Sequence, residues 1–143
     1  GPEKYNQLYD KFRNLNKLLA WGHARAIENV LERVDVRRAV TDQFGDERFV
    51  RQALMTRGRT LELEQRTRGE ADPAVAAASL LARAEFLRRQ AAQSSEWGLD
   101  LRKGAGPPVE SAAAAFVARH GAESLGRVAK LHFKTTARVL AGL

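Results

Sequence analysis

An α/β fold with parallel strands and an extensive helical C-terminal region is what this chain predicts, and three observations predict it. Apolar side chains recur every three or four residues near both ends, the period of a helix with one face inward. Between those ends, two short β-type runs flank one helical stretch within about 28 residues, which is the length of a strand–helix–strand unit. The third observation is bulk: 143 residues, 44% hydrophobic and 29% charged, fit one soluble domain able to bury a core.

In order, residues 3–19 place Tyr5, Leu8, Tyr9, Phe12, Leu15, Leu18 and Leu19 on one helical stripe. A second helix is expected over about 20–34, burying Ala24, Ile27, Val30, Leu31 and Val34, with Gly22 at the join. Ala39-Val40-Thr41 reads as a short strand ending at Asp42. Asp46 is placed to cap a helix running to about Arg57, which Gly58 would stop. Residues 60–64 (TLELE) alternate like a strand with one wet face, so the two strands should be parallel with a right-handed crossover. Asp72-Pro73 is a strong helix start, and the helix should reach about Gln93. Its first turns, Ala74 to Ala78, are small and apolar on every side, which predicts burial. A loop from Gly98 to Pro108 follows. Two further helices are expected, over about 109–119 and from Ala122 onward, separated at His120-Gly121.

Composition excludes several classes of function. There is no cysteine, hence no disulfide and no thiolate metal site, which is compatible with a cytoplasmic setting. No apolar run approaches the roughly 18 residues that span a bilayer, so no membrane role is expected. His23, His120 and His132 are too scattered for a metal-ligand spacing, and no Ser/His/Asp or dinucleotide motif is present. The net charge is +7, and +5 of it lies beyond residue 100. A basic C-terminal portion on a near-neutral body favours a polyanionic partner.

The residues that can carry chemistry are acids in a basic chain. Asp42, at the C-terminal end of a strand, and Glu70, in the turn entering the alanine-rich helix, would meet at one edge if both belong to one layer. Hard carboxylate oxygens of this kind hold Mg2+ or Mn2+, with water and substrate phosphate completing the shell. Each acid also has a plainer reading: Asp42 as a turn residue before Gly45, Glu70 as a solvated loop charge, Asp72 as a helix cap. Lys103, in the loop Lys103-Gly104-Ala105-Gly106, offers an ammonium and neighbouring amides to phosphate, though the spacing is not that of a P-loop. Lys130, His132, Lys134 and Thr135 combine charge, ring and hydroxyl in a way that suits phosphate and ribose, or else form an ordinary helix face.

Three strings, AVAAASLLAR (Ala74–Arg83), RKGAGPPV (Arg102–Val109) and VAKLHFKTT (Val128–Thr136), together resemble bacterial ribonuclease HIII, of the type 2 ribonuclease H group. Lys4-Tyr5-Asn6 and the run from Asn14 to His23 are similar to that family's two helices before its third catalytic strand. The resemblance runs over nearly the whole chain, with its motifs in order. It implies a ribonuclease H-like fold and metal-dependent cleavage of RNA paired with DNA, giving 5′-phosphate and 3′-hydroxyl ends. Family members use four acids. Asp42, in Thr41-Asp42-Gln43-Phe44, matches the third. For the fourth, Glu70 is the best candidate, although the family spacing falls one residue earlier, at Gly69, and Asp72 is a rival. The resemblance assigns phosphate neutralisation to Lys103, Lys130 and Lys134, and contacts to backbone or sugar to His132 and Thr135.

The family's first strand, with its Asp-Glu pair, has no counterpart here, nor does its N-terminal substrate-binding domain. Residues 1–143 therefore read as a partial catalytic domain, expected to have little or no nuclease activity alone. The strand ending at Asp42 should carry an open edge. Two other readings are a non-catalytic nucleic-acid-binding module and a split-enzyme fragment whose partner is the missing N-terminal half.

Overall fold

The computed structural model describes residues 1–142, arranged in two compact units. One is Phe12–Arg83; the other combines Gly1–Lys11 with the chain from Ala84 onward. Helix α1 (Pro2–Phe12) and helix α2 (Leu15–Leu31) are separated at Arg13, which takes a left-handed conformation with φ 48°, and at Asn14. The Asn14 side chain accepts the Lys17 N–H at 3.0 Å and so opens α2. The helix break therefore lies well before Gly22, where the sequence pattern suggests it. An N-cap supplies an orphan amide with a partner, whereas a glycine inside a helix costs only propensity.

In the Phe12–Arg83 unit, strand β1 (Arg38–Asp42) pairs in parallel with β2 (Glu62–Arg66), in a register that sets Arg38 against Glu62 and Asp42 against Arg66. Helix α3 (Arg48–Ala53) connects them, its first turn held by Asp46, which accepts the Arg48 N–H at 2.9 Å. The helix is shorter than the periodicity predicts because Leu54 turns extended. The second strand begins two residues later than expected, after a 3-10 turn at Gly58–Thr60. Glu28 of α2 explains that turn: its carboxylate, 4% exposed, accepts the N–H groups of Gly58 at 2.7 Å and Arg57 at 3.2 Å. Ala20 and Ala24 from α2, Val50 and Leu54 from the α3 region, and Leu63 of β2 form the core, flanked by Ile27, Ala39 and Phe44. Burying Leu54 and Leu63 stabilises this layer by about 2 kcal/mol each.

Helix α4 (Pro73–Trp97) starts where the sequence places it, with Asp72 accepting the Ala74 N–H at 2.9 Å, and runs four residues past the expected end. None of its described residues is buried. The burial predicted for Ala74–Ala78 is thus not met by anything among the described residues: Ala74, Ala77 and Ala78 are exposed, as are Leu80 and Leu81.

The second unit centres on Phe116, Leu125 and Val139, buried by helices α5 (Pro107–His120) and α6 (Lys134–Ala141) and by a 3-10 segment, Ala122–Arg127. Gly121, with φ 82°, ends α5 in a conformation that favours glycine. The continuous helix expected from Ala122 is broken into two pieces. Asn6 of α1 accounts for the break: its Nδ2 donates to the carbonyls of Gly126 and Ala129 at 3.0 and 2.9 Å, and its Oδ1 accepts the Leu131 N–H at 3.0 Å. A side chain that satisfies three backbone groups allows the chain to leave the helical path without a buried orphan.

Candidate functional site

Asp42 is the last residue of β1 and is exposed. Its Oδ1 accepts the N–H of Gly69 at 2.9 Å. Gly69 opens a 3-10 turn, Gly69–Ala71, preceded by Arg68 in the left-handed region at φ 57°. That turn presses the backbone against the strand end: a Cβ on Gly69 would lie 2.9 Å from the Asp42 Cα and 3.1 Å from its N. Position 69 therefore has no room for a side chain. Glu70, the next residue, is exposed.

The neighbouring acids are otherwise engaged. Asp72 caps α4 and lies 3.6 Å from the Arg66 guanidinium. Glu64 is paired with both Arg38 and Arg66, whose guanidinium groups hold its carboxyl below the ordinary range. Asp46 is held down at about 2 by its hydrogen bonds from Arg48. Asp42 and Glu70, by contrast, are in none of these ion pairs. Among the described residues no group of three His, Asp or Glu converges on one point.

Two residues beside Asp42 are not singled out as candidates by the sequence. Gly69 positions Asp42 through its amide and its lack of a side chain; the signal available was its location where the family spacing places an acid. His23, too isolated along the chain to suggest a site, is half-buried on α2 with its ring 5.0 Å from that of Phe44. Burial pushes its pKa below the ordinary value, and the negative charge of Asp42 partly opposes this. No sequence pattern reveals that proximity, because it depends on how α2 lies beside Phe44, two residues beyond β1.

The cationic candidates lie in the other unit. Lys103, Lys130 and Thr135 line one cavity there, of about 960 Å³, together with Arg102, Phe86 and Phe133. Lys103 sits in a loop with Gly104 and Gly106 at φ 92° and 100°. Lys130 rests its ammonium 4.5 Å from the Tyr5 ring centre, and its carbonyl accepts the Thr136 hydroxyl at 3.4 Å. Lys134 is the first residue of α6. His132 is stacked on Tyr9 at 3.8 Å and against Phe133 at 4.0 Å, with Nδ1 buried and without a hydrogen-bond partner among the described residues. Burial and then the Lys130 charge lower its pKa, so the ring is favoured neutral.

No described helix is long and apolar enough to cross a membrane. The model of the family described as Ribonuclease HII matches residues 3–136. Curated relatives named Ribonuclease HIII include one from Protochlamydia amoebophila (strain UWE25), 41% identical over 140 residues that make up 98% of this chain and 46% of that protein. Another, from Chlamydia pneumoniae, is 40% identical over 99% of this chain and 48% of its own length. The chain spans about half the length of these relatives. Among solved structures, a crystal structure of Bst-RNase HIII in complex with Mn2+ superposes with a TM-score of 0.86 at 29% identity, covering 98% of this chain and 47% of that one. A glutamine-to-alanine mutant of the same protein gives 0.87 at 30% identity, covering 97% and 47%. Mixed α/β architecture, parallel strands and a family match across nearly all of its length lead to one conclusion: the chain belongs to the ribonuclease HII family.

Proposed function

We propose that the chain is part of a ribonuclease of the HII/HIII type, which hydrolyses the RNA strand of RNA/DNA hybrids in the cytoplasm and leaves 5′-phosphate and 3′-hydroxyl ends. The observation that carries this reading is the Asp42–Gly69 contact, which brings the turn bearing Glu70 to the end of β1. Asp42 and Glu70 are hard-oxygen donors, and two exposed carboxylates fit the modest protein ligand count that Mg2+ or Mn2+ accepts beside a phosphodiester. Bound there, a divalent ion would supply Lewis-acid stabilisation of the phosphate and a more acidic water.

The chain's own residues supply the rest. Gly69 fixes one Asp42 oxygen through its amide, leaving the other to face a ligand. Asp72 is committed to α4, which favours Glu70 as the second acid. Lys103, Lys130 and Lys134 are the candidates for neutralising phosphate charge, with Thr135 and the stacked His132 offered to backbone or sugar. Four acids are expected in the family, and Asp42 and Glu70 are the two proposed among residues 1–143. We therefore expect little or no cleavage by residues 1–143 alone.

The test is a labelled RNA/DNA hybrid incubated with the chain and Mn2+, with and without the remaining half of a relative. Cleavage only in the mixture, lost in Asp42→Asn, is the expected result. Strong cleavage by residues 1–143 alone, abolished by Asp42→Asn, would refute the expectation that these residues do not suffice. The cationic cavity in the second unit favours one other reading, a non-catalytic nucleic-acid-binding module. Salt-sensitive hybrid binding that is indifferent to metal, with no cleavage in any mixture, would select it.

A further inference from the structure

The cavity of about 960 Å³ in the second unit is lined for more than phosphate contacts. Its wall comes from α1, α4, α5 and α6 and the segments between them, all within that one unit. Phe86, Leu101, Leu125 and Phe133 give it an apolar surface, and both phenylalanines remain 47% exposed. Size and lining are those of a small-molecule site: such pockets span about 300–1,000 Å³ and are mostly apolar with few polar groups.

Arg88, Arg89, Arg102, Lys103 and Lys130 stand in the same wall. Arg88 and Arg89 share the carboxylate of Glu85, and Arg102 pairs with Asp100 at 2.7 Å. With Glu96 also in the wall, five cations meet three carboxylates, so a positive excess is left for a ligand. The neutral polar groups are engaged inside the unit. Gln90 donates to the Leu101 carbonyl at 2.8 Å, Gln93 to that of Arg127 at 3.0 Å, and the Thr136 hydroxyl to that of Lys130 at 3.4 Å. A nucleobase entering here would give up water along its polar edge and regain few of those bonds, which costs affinity. A phosphate alone would leave the apolar wall wet.

We propose that this cavity is a binding site for a free acyl carboxylate, with its chain on the apolar wall and its carboxylate between Lys103 and Lys130. Neither lysine takes part in the ion pairs just described. The Lys130 ammonium is held 4.5 Å from the centre of the Tyr5 ring, itself part of the wall, which sets a cation directly beside apolar surface. A flexible chain can follow a wall of unlike side chains from four helices, and each buried methylene adds to affinity. The site stands independently of the proposed function, with one consequence that depends on it. Lys103 and Lys130 are also the proposed phosphate contacts, so a bound acyl chain should displace hybrid.

Calorimetric titration of residues 1–143 with dodecanoate, kept below its micelle concentration, is the test. One molecule per chain is expected, with a negative heat-capacity change from apolar burial. Dodecanol and dodecyltrimethylammonium should bind at least tenfold more weakly, and acetate not measurably. Lys103→Glu combined with Lys130→Glu should weaken dodecanoate at least tenfold; both lysines are exposed, so the circular dichroism should match the parent. Ala113→Trp fills the cavity without touching a charge, and should weaken binding as much while keeping the parent's melting temperature. Uptake that never saturates, affinity indifferent to both variants, or dodecanol binding as well as dodecanoate would each overturn the proposal. So would binding of anionic vesicles, an acidic peptide or a single-stranded oligonucleotide in place of free dodecanoate. Dodecanoate that binds as described without displacing hybrid would uphold the site and reject the two lysines as phosphate contacts instead.

Discussion

Two side chains and one missing side chain decide the local geometry around the strand ends. Gly69 is buried against Asp42, and a methyl group there would meet the Asp42 backbone at 2.9 Å. Backbone cannot yield as a flexible side chain does, so Gly69→Ala should displace the turn and cost about 1–3 kcal/mol of stability. It should also depress cleavage by the reconstituted enzyme more than its stability loss explains; an activity measured well below the melting temperature that matches the parent would contradict the positioning role. Glu28 offers a separate test, remote from catalysis. Its removal strands the amides of Arg57 and Gly58, one of them buried, so Glu28→Ala should lower stability by about 1–3 kcal/mol in urea unfolding. Glu28→Gln, which keeps one acceptor oxygen, should lose less.

At the scale of elements, the aromatic group formed by α1 and the segment before α6 has a pH signature. His132 has Nδ1 buried without a hydrogen-bond partner among the described residues, and a pKa below its ordinary value of 6.5. The unfolded chain therefore binds this proton more readily than the folded one. Stability is complete above about pH 6.5 and declines as pH falls from there toward the lowered folded value, below which the loss levels off. Thermal melts of the parent against His132→Phe between about pH 7.5 and 4.5 should show the parent losing more over that range. Parallel curves would rule the histidine out as the cause.

Much of this element structure is legible from the residues. Asp46 and Asp72 are read correctly as caps because an N-cap is a local interaction, complete within about three residues. The parallel pairing of β1 and β2 follows from a helical connection between two short β-type runs. Misplaced features depend on distant partners. Asn6 holds the Gly126–Leu131 segment from 120 residues away, and Glu28 sets the turn before β2 from 30 away. Of the site, Asp42 is visible as an acid at a strand end, but Gly69 is recognisable only once the turn is folded onto it. The nearness of His23 has the same long-range origin.

Charge belongs to the whole molecule, since the +7 excess acts on any polyanion in its reach. Each phosphate neutralised by a lysine or arginine releases counterions, so log Kd for a hybrid should rise linearly with log salt, with a slope of about 0.9 per contact on a B-like duplex. If Lys103, Lys130 and Lys134 each meet one phosphate, the triple change to alanine should reduce that slope by about 2–3 and weaken binding uniformly across sequences. Fluorescence anisotropy between about 50 and 300 mM salt, in chelator to separate this from the carboxylate site, measures it directly. Asp42→Asn is the informative control, because removing a negative charge should strengthen metal-free binding slightly while leaving the slope alone. A triple variant with the parent's slope would mean that these lysines serve the fold of their own unit, as the rest of Lys130 on Tyr5 would allow, and that the basic excess meets nucleic acid elsewhere.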